Sequence, residues 1–162
     1  MLKVMQSPIG KLYLQIEDGE LTTILFEEPQ GLLSRNDDSR NEKVFEKTLK
    51  QLNEYFCGER ISFDLPLHAH GTAFQKGVWA QLPHIAYGQT ISYQELAERI
   101  ENPKACRAVG QANRRNPLPI VVPCHRVIGK DKTLKGYAGS LTSIKEFLLQ
   151  LEMEFTEQSL NR

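Results

Sequence analysis

The stretch that decides the fold runs from residue 92 to residue 127 and reads SYQELAERIENPKACRAVGQANRRNPLPIVVPCHRV. It opens with a capping-box pattern at Ser92–Glu95, which predicts a helix over 92–101. Asn102 followed by Pro103 is a cap and a proline at a first helical position, so a second helix is predicted over 103–113. Two short helices with a tight connection are typical of a helix-turn-helix.

The second of these helices has two different faces. One face is small and apolar at helical spacing, and it is formed by Ala105, Ala108, Val109 and Ala112. The opposite face is cationic and polar, and it is formed by Arg107, Gln111 and Arg114. With Gly110 among small neighbours, the helix is thin enough to approach a backbone or enter a groove. This pattern favours nucleic-acid binding, although a solvated helix with arginines for solubility would look the same.

A reactive cysteine is predicted just after this pair, in Pro123-Cys124-His125-Arg126-Val127. Three prolines between residues 117 and 123 exclude a helix and predict an extended, rigid segment. A cationic neighbour favours the thiolate form of a cysteine, and an adjacent histidine can take the proton. The alternative is a buried cysteine beside a structural histidine.

Outside this stretch, apolar residues alternate in the N-terminal part, which predicts strands, and recur at helical spacing in most of the remainder. Strands are predicted over 12–16 and 21–26, joined by the Asp18-Gly19 turn, with a third strand over 61–65. The remaining helices are predicted over 44–56, 74–82 and 142–155. The expected fold is therefore α+β, with an antiparallel sheet and a helix in residues 1–72 and a mainly helical domain in residues 73–162. Cys57, at the end of the first helix, is expected to be buried.

Composition narrows the class of protein. The chain has 162 residues, 40% of them hydrophobic, with a formal net charge of zero, which excludes a disordered chain. The net charge is the sum of −4 for residues 1–72 and +4 for residues 73–162. Residues 102–135 alone carry a net charge of +7. We therefore expect the helix pair to be the nucleic-acid site. Three cysteines without a signal-peptide pattern or a long apolar run predict a cytoplasmic protein with reduced thiols and no membrane span.

These residues resemble one known family, the O6-alkylguanine-DNA alkyltransferases. The similarity runs continuously over residues 73–152, and Pro123–Val127 with Asn116-Pro117 eight residues before the cysteine is its most specific part. Further matching segments are Phe74-Gln75, Val78-Trp79, Tyr87-Gly88, Ser92-Tyr93, Arg107–Gly110 and Gly136–Gly139. The resemblance also implies that the N-terminal sheet and helix form a small ribonuclease-H-like domain.

The resemblance implies roles for the site residues. Cys124 would attack the alkyl carbon on O6 of guanine and keep the alkyl group, so each molecule would react once. His125, working through a water and oriented by Glu152, would take the thiol proton. Tyr93 would donate to N3 of guanine, and Asn116 would brace the turn that carries Cys124. The guanine edge and the alkyl group would be contacted by Val127, Ala138 and Tyr137.

The partner implied is double-stranded DNA carrying O6-alkylguanine, bound by a monomer. The target base would be flipped out of the duplex from the minor groove, with Arg107 filling the gap in the stack. Neighbouring contacts to DNA would come from Ala105, Cys106, Gly110, Gln111 and Arg114. No cofactor and no metal are expected, because the histidines and cysteines lack zinc-ligand spacing.

Two other functions fit parts of the pattern. A damaged-DNA recognition protein of the same fold would bind without transfer, but relatives of that kind lack the acceptor thiol that Cys124 supplies. A Cys-His hydrolase with an acidic substrate would use the same dipeptide, yet the sequence offers it no oxyanion-hole motif or third triad member.

Overall fold

A short antiparallel sheet and one long helix form the beginning of the chain. The computed structural model describes residues 1–31, 38–129 and 140–160. Strand β1 (Leu2–Ser7), β2 (Gly10–Glu17) and β3 (Glu20–Leu25) pair in the order β1-β2-β3. Helix α1 (Ser39–Phe56) follows, capped by Asp38, whose carboxylate accepts the Asn41 amide at 2.9 Å. Both hairpins are tight, so the strands are adjacent in sequence and in space.

The sheet and α1 share one apolar core. Leu12, Leu14 and Ile16 alternate along β2 with no exposed surface, as period-two patterning requires. Leu52 and Tyr55 of α1 are equally buried. Met1–His70 form one compact unit, which holds its own core.

The second compact unit, Gly71–Arg162, is mainly helical. Its helices are α2 (Ala73–Gln81), α3 (Tyr93–Arg99), α4 (Cys106–Arg114) and α5 (Ser140–Leu160). Strands β4 (Ile91–Ser92) and β5 (Val127–Ile128) form a small parallel pair, Ile91 opposite Val127. Single 3₁₀ turns cover Leu82–His84 and Cys124–Arg126. The predicted α+β class is confirmed by these two units, and no helix of the described residues is long and apolar enough to cross a membrane.

The predicted third strand over 61–65 is wrong. The sheet takes its third strand from Leu2–Ser7 instead. The backbone of Asp64 is bonded by the Gln51 side chain, through its N–H and its carbonyl at 2.9 Å each, so it is not free to pair with a strand. Ile61 is 64% exposed, although the alternation predicted a buried face. Farther on, Leu67 forms an isolated bridge to Leu21 of β3.

Two local predictions in the second unit also need correction. Helix α4 begins at Cys106 rather than at Pro103, because Ala105 closes a turn with the Asn102 carbonyl at 3.0 Å and is itself the cap. The proline-rich segment excludes helix as predicted but is not extended. It folds into turns, with the Val122 amide bonded to the Leu118 carbonyl at 2.9 Å and Ile120 at φ 74°.

Burial and capping differ from expectation at single residues. Cys57 is exposed, because it caps the C-terminus of α1 outside the apolar face. The Ser92 hydroxyl caps α3 by accepting a hydrogen bond from the Glu95 amide at 3.0 Å. The Glu95 carboxylate accepts from Arg99 at 3.2 Å instead of from the Ser92 amide, so one of the two bonds of the predicted capping box is formed. The last helix, predicted over 142–155, is longer at both ends.

Candidate active site

Cys124 sits at the start of a 3₁₀ turn and is 5% exposed. Two buried asparagines fix the backbone around it. Asn116 donates to the Val122 carbonyl at 2.8 Å and accepts the Leu118 amide at 3.0 Å, which ties the turn leading to the cysteine. Asn113 of α4 donates to the Cys124 carbonyl itself at 3.2 Å. The nucleophile predicted from sequence is therefore held at its backbone from both sides.

His125 is buried and paired with Glu152 of α5. Its Nε2 lies 2.5 Å from Glu152 Oε2. Burial alone would raise the pKa of Glu152, but hydrogen bonds and charges from His125 and Arg126 outweigh it and lower that pKa to about 2. An ionised carboxylate can only accept, so Nε2 carries the hydrogen of a neutral ring and Nδ1 is its lone-pair nitrogen.

The other histidine nitrogen is the basic atom of the site. Nδ1 is buried and has no hydrogen-bond partner among the residues that the structure describes. Burial lowers the pKa of His125, which favours the neutral ring even beside Glu152. A neutral imidazole with one nitrogen anchored and the other available is suited to accepting a proton.

Arg126 has a different surrounding from the one expected. The sequence suggested a cation next to the thiol, but the guanidinium donates to Glu152 Oε1 at 2.8 Å and Oε2 at 3.1 Å. It also bonds the Ile85 carbonyl at 2.8 Å and lies 5.5 Å from the centre of the Tyr87 ring. Arg126 thus neutralises the charge of Glu152. Because Glu152 already has a cationic partner, His125 can stay neutral.

Gly88 supplies a fourth donor to Glu152. Its amide bonds Oε1 at 3.0 Å, in a turn closed by the Gln89 amide and the Ala86 carbonyl at 3.0 Å. Gly88 has φ +78°, and a Cβ there would lie 2.4 Å from Oγ1 of Thr156. A glycine is therefore required at this close approach.

The buried cation near Cys124 is Lys145 of α5. Only 1% of it is exposed, its ammonium donates to the Val127 carbonyl, and it lies 5.8 Å from the centre of the Tyr93 ring. Burial lowers the pKa of Lys145 to about 8, partly offset by the negative charge that Cys124 can carry. The sequence reasoning overlooked its role, although Lys145, Leu148 and Glu152 share one stripe of α5 at helical spacing.

Tyr93 lies at the first turn of α3, close enough to Cys124 for the two side chains to interact electrostatically. Burial raises the pKa of Tyr93, as does the charge of Cys124, while Arg114 and a side-chain hydrogen bond from Asn113 act in the opposite direction. The phenol therefore remains protonated and able to donate at neutral pH. Gly110 of α4 packs on the Tyr93 ring, and a Cβ there would lie 3.7 Å from Cδ1, an ordinary contact that does not require glycine.

The cationic face of α4 is at the surface. Arg107, Gln111 and Arg114 are exposed, whereas Val109 and Ala112 are buried. Two members of the predicted apolar face are corrected, because Ala108 is exposed and Ala105 is the half-buried cap. Cys106 and Gly110 are also half-buried.

Two predicted site residues have no structural account. Tyr137 and Ala138 lie outside the described residues. Val127 is buried in β5, and its carbonyl is the acceptor for Lys145.

No cluster of three or more metal-binding side chains occurs within 1–31, 38–129 and 140–160.

Two family models together match most of the chain. Residues 73–154 match the DNA binding domain of 6-O-methylguanine DNA methyltransferase, and residues 2–69 match its ribonuclease-like domain. The chain belongs to the 6-O-methylguanine DNA methyltransferase family. The ribonuclease-like character expected of the N-terminal sheet and helix agrees with the second of these matches.

Individual relatives are similar over nearly the whole chain. The constitutive methylated-DNA–protein-cysteine methyltransferase of Bacillus subtilis is 45% identical over 91% of this chain and 92% of its own length. The enzyme of that name from Methanosarcina acetivorans is 48% identical over 92% and 96%. Among solved structures, Mycobacterium tuberculosis OGT in complex with DNA has a TM-score of 0.82 at 43% identity, covering 95% of this chain and 93% of that one.

Proposed function

We propose that this chain repairs DNA by moving the alkyl group from O6 of guanine in duplex DNA onto its own Cys124. The observation that carries the proposal is the arrangement of a buried, reduced Cys124 next to His125, a neutral base anchored by Glu152, within a chain of this family. The family membership supports the reaction class, and the geometry supports the assignment of roles.

The proposed reaction is a displacement at the alkyl carbon. The thiol of Cys124 gives its proton, through a water, to Nδ1 of His125, and the resulting thiolate attacks the carbon attached to O6. The carbon–oxygen bond breaks, its electron pair stays on guanine, and the Tyr93 hydroxyl donates toward N3 so that guanine leaves without excess charge. Asn116 holds the turn in place throughout.

The product explains why one molecule reacts once. The carbon–sulfur bond of the thioether is stable, because a thiolate is a poor leaving group from an alkyl carbon, so the alkyl group stays on Cys124. The protein is therefore consumed, and alkyl transfer is stoichiometric. Tyr137 and Ala138 complete the proposed set, as the wall of the alkyl pocket and a reader of the guanine edge, together with Val127.

Transfer from labelled DNA tests this proposal. Duplex containing O6-methylguanine with a radiolabelled methyl group should label the wild-type protein to one equivalent and then stop. Cys124→Ser should remove labelling and keep DNA affinity, since the substitution changes one buried atom. Label transferred beyond one equivalent, or labelling of the serine variant, would contradict the role of Cys124.

We further propose that the exposed face of α4 enters the minor groove. Arg107 occupies the space of the flipped base, while Ala105, Cys106, Gly110, Gln111 and Arg114 lie along the strand. The small residues suit a groove only about 6 Å wide. The positive charge predicts binding that weakens strongly with salt.

Replacing Arg107 separates flipping from chemistry. Arg107→Ala should slow methyl transfer from duplex about tenfold or more, because unstacking a base costs a few kcal/mol. Reaction with free O6-benzylguanine should be unchanged. Arg99→Ala, an exposed arginine of α3 paired with Glu95, is the charge-matched control. Equal losses on both substrates would overturn the assignment.

We also propose that the protein works in the reducing cytosol. All three cysteines are reduced, and the reaction needs Cys124 as a thiol. Fractionation of cells followed by detection of the chain checks this, and recovery from an oxidising compartment would contradict it.

A further inference from the structure

A groove of about 310 Å³ lies between the first turn of α2 and the exposed side of α4. Its lining includes Thr72, Phe74 and Gln75 on the side of α2, and Ala108, Gln111 and Arg115 on the side of α4. The Phe74 ring keeps 38% of its surface exposed, and Ala108 is exposed as well. The groove therefore combines apolar surface with one cationic side chain, Arg115.

The two helices that form the groove carry positive charge only. Neither α2 nor α4 contains an aspartate or a glutamate, and they hold Lys76, Arg107 and Arg114, with Arg115 as the C-terminal cap of α4. The Arg115 side chain is exposed, and it forms no ion pair or hydrogen bond with any residue in the described part of the chain. A planar guanidinium beside apolar surface suits an anionic partner that also has apolar edges.

The groove is continuous with the cationic face of α4. Gln111 belongs to both, because it lines the groove and also shares a helical stripe with Arg107 and Arg114. Ala108, Gln111 and Arg115 form the adjoining stripe at the same spacing. A DNA duplex that lies on the cationic face therefore extends over the groove, which favours DNA over an acidic protein segment as the occupant.

We propose that the groove binds the sugar–phosphate backbone of one DNA strand beyond the flipped nucleotide, with deoxyribose on Phe74 and a phosphate on Arg115. The inference rests on the proposed function, since it needs α4 in the minor groove. Arg107 and Arg115 are eight residues apart, about 12 Å along a helix axis, whereas one strand of B-DNA advances about 3.4 Å per nucleotide. The two arginines therefore meet different nucleotides, and Arg115 contributes to affinity and not to flipping.

Salt-dependent binding of an undamaged duplex tests the role of Arg115. Arg115→Ala removes one phosphate contact, so affinity should fall about fivefold at about 0.1 M salt. The slope of log affinity against log salt concentration should become shallower by about one. Lys50→Ala, which removes an exposed cation of α1, is the charge-matched control and should change neither quantity.

Phe74→Ala separates the apolar contact from the charge. The substitution removes the ring that packs on deoxyribose and keeps every charge, so affinity should fall about threefold to fivefold while the salt slope stays at the wild-type value. Both variants should react with free O6-benzylguanine at the wild-type rate, because that substrate has no backbone. Phe74→Leu, with a smaller expected loss of affinity, replaces the alanine variant if circular dichroism shows that alanine does not fold.

The outcomes separate the two proposals. A wild-type salt slope in folded Arg115→Ala, or wild-type affinity in the folded Phe74 variant, would overturn the inference about the groove while leaving alkyl transfer intact. Slower reaction of either variant with free O6-benzylguanine would also overturn it, by showing a structural effect on the site. No transfer from O6-methylguanine in duplex to wild-type Cys124 would instead overturn the proposed function.

Discussion

The two compact units bury polar groups in different ways. Among the described residues of Met1–His70 the buried polar side chains are neutral, and the bonds of Thr22, Thr48 and Gln51 run to backbone atoms. In Gly71–Arg162 the buried polar groups include four ionisable side chains, His125, Arg126, Lys145 and Glu152. Buried charge is expensive unless paired, so its concentration around Cys124 marks the place where the fold supports chemistry and not only stability.

The largest expected effect comes from neutralising Glu152. Glu152→Gln leaves the Arg126 guanidinium without its counter-charge and loosens His125, so stability should fall by about 3–5 kcal/mol. Methyl transfer should fall about 100-fold or more, the usual contribution of an oriented general base. Denaturant unfolding and single-turnover kinetics measure the two effects, and a variant with normal transfer would break the link between buried charge and chemistry.

A middle-sized effect is expected at Lys145. Lys145→Met keeps the length and packing of the side chain but removes the buried positive charge next to Cys124. Transfer should slow about tenfold, because the thiolate loses a stabilising cation, while stability changes little since Met avoids the desolvation of an ammonium. Kinetics unchanged from wild type would show that Lys145 serves only to satisfy the Val127 carbonyl.

The smallest effect is predicted in the first unit. Gln51→Leu removes both hydrogen bonds to the Asp64 backbone, but Asp64 is exposed and water can replace them. Unfolding free energy should fall by about 1 kcal/mol, and methyl transfer should not change. A large loss of transfer in this folded variant would mean that the contrast between the two units is false.

The sequence predicted the reacting groups better than the elements around them. Cys124, His125, Asn116 and the cationic face of α4 follow from local patterns and the family resemblance, because their spacing along the chain is short. The prediction of a strand over 61–65 was wrong. Apolar residues also alternate in a segment whose backbone is held by hydrogen bonds from a side chain such as Gln51, and no strand pairing is then needed.

The contacts that cross elements could not be read from the chain. Arg126 follows Cys124 and His125 directly in the sequence. The direction in which its guanidinium points depends on the positions of Glu152 on α5 and of the Tyr87 ring, which the sequence does not give. Asn113 is one polar residue on a helix in the sequence, and its bond to the Cys124 carbonyl depends on how α4 packs against the turn of the cysteine. One signal was available, because Asn113 follows buried Val109 by four residues and so falls on the buried face.

The most direct measurement is mass mapping of the protein after it reacts with duplex DNA containing O6-methylguanine. Peptide mass spectrometry should find one methyl group in place of a hydrogen, about 14 Da, on the peptide that contains Cys124 and on no other. Unmodified Cys124, with the methyl group still on the DNA or on Cys57 or Cys106, would contradict the account.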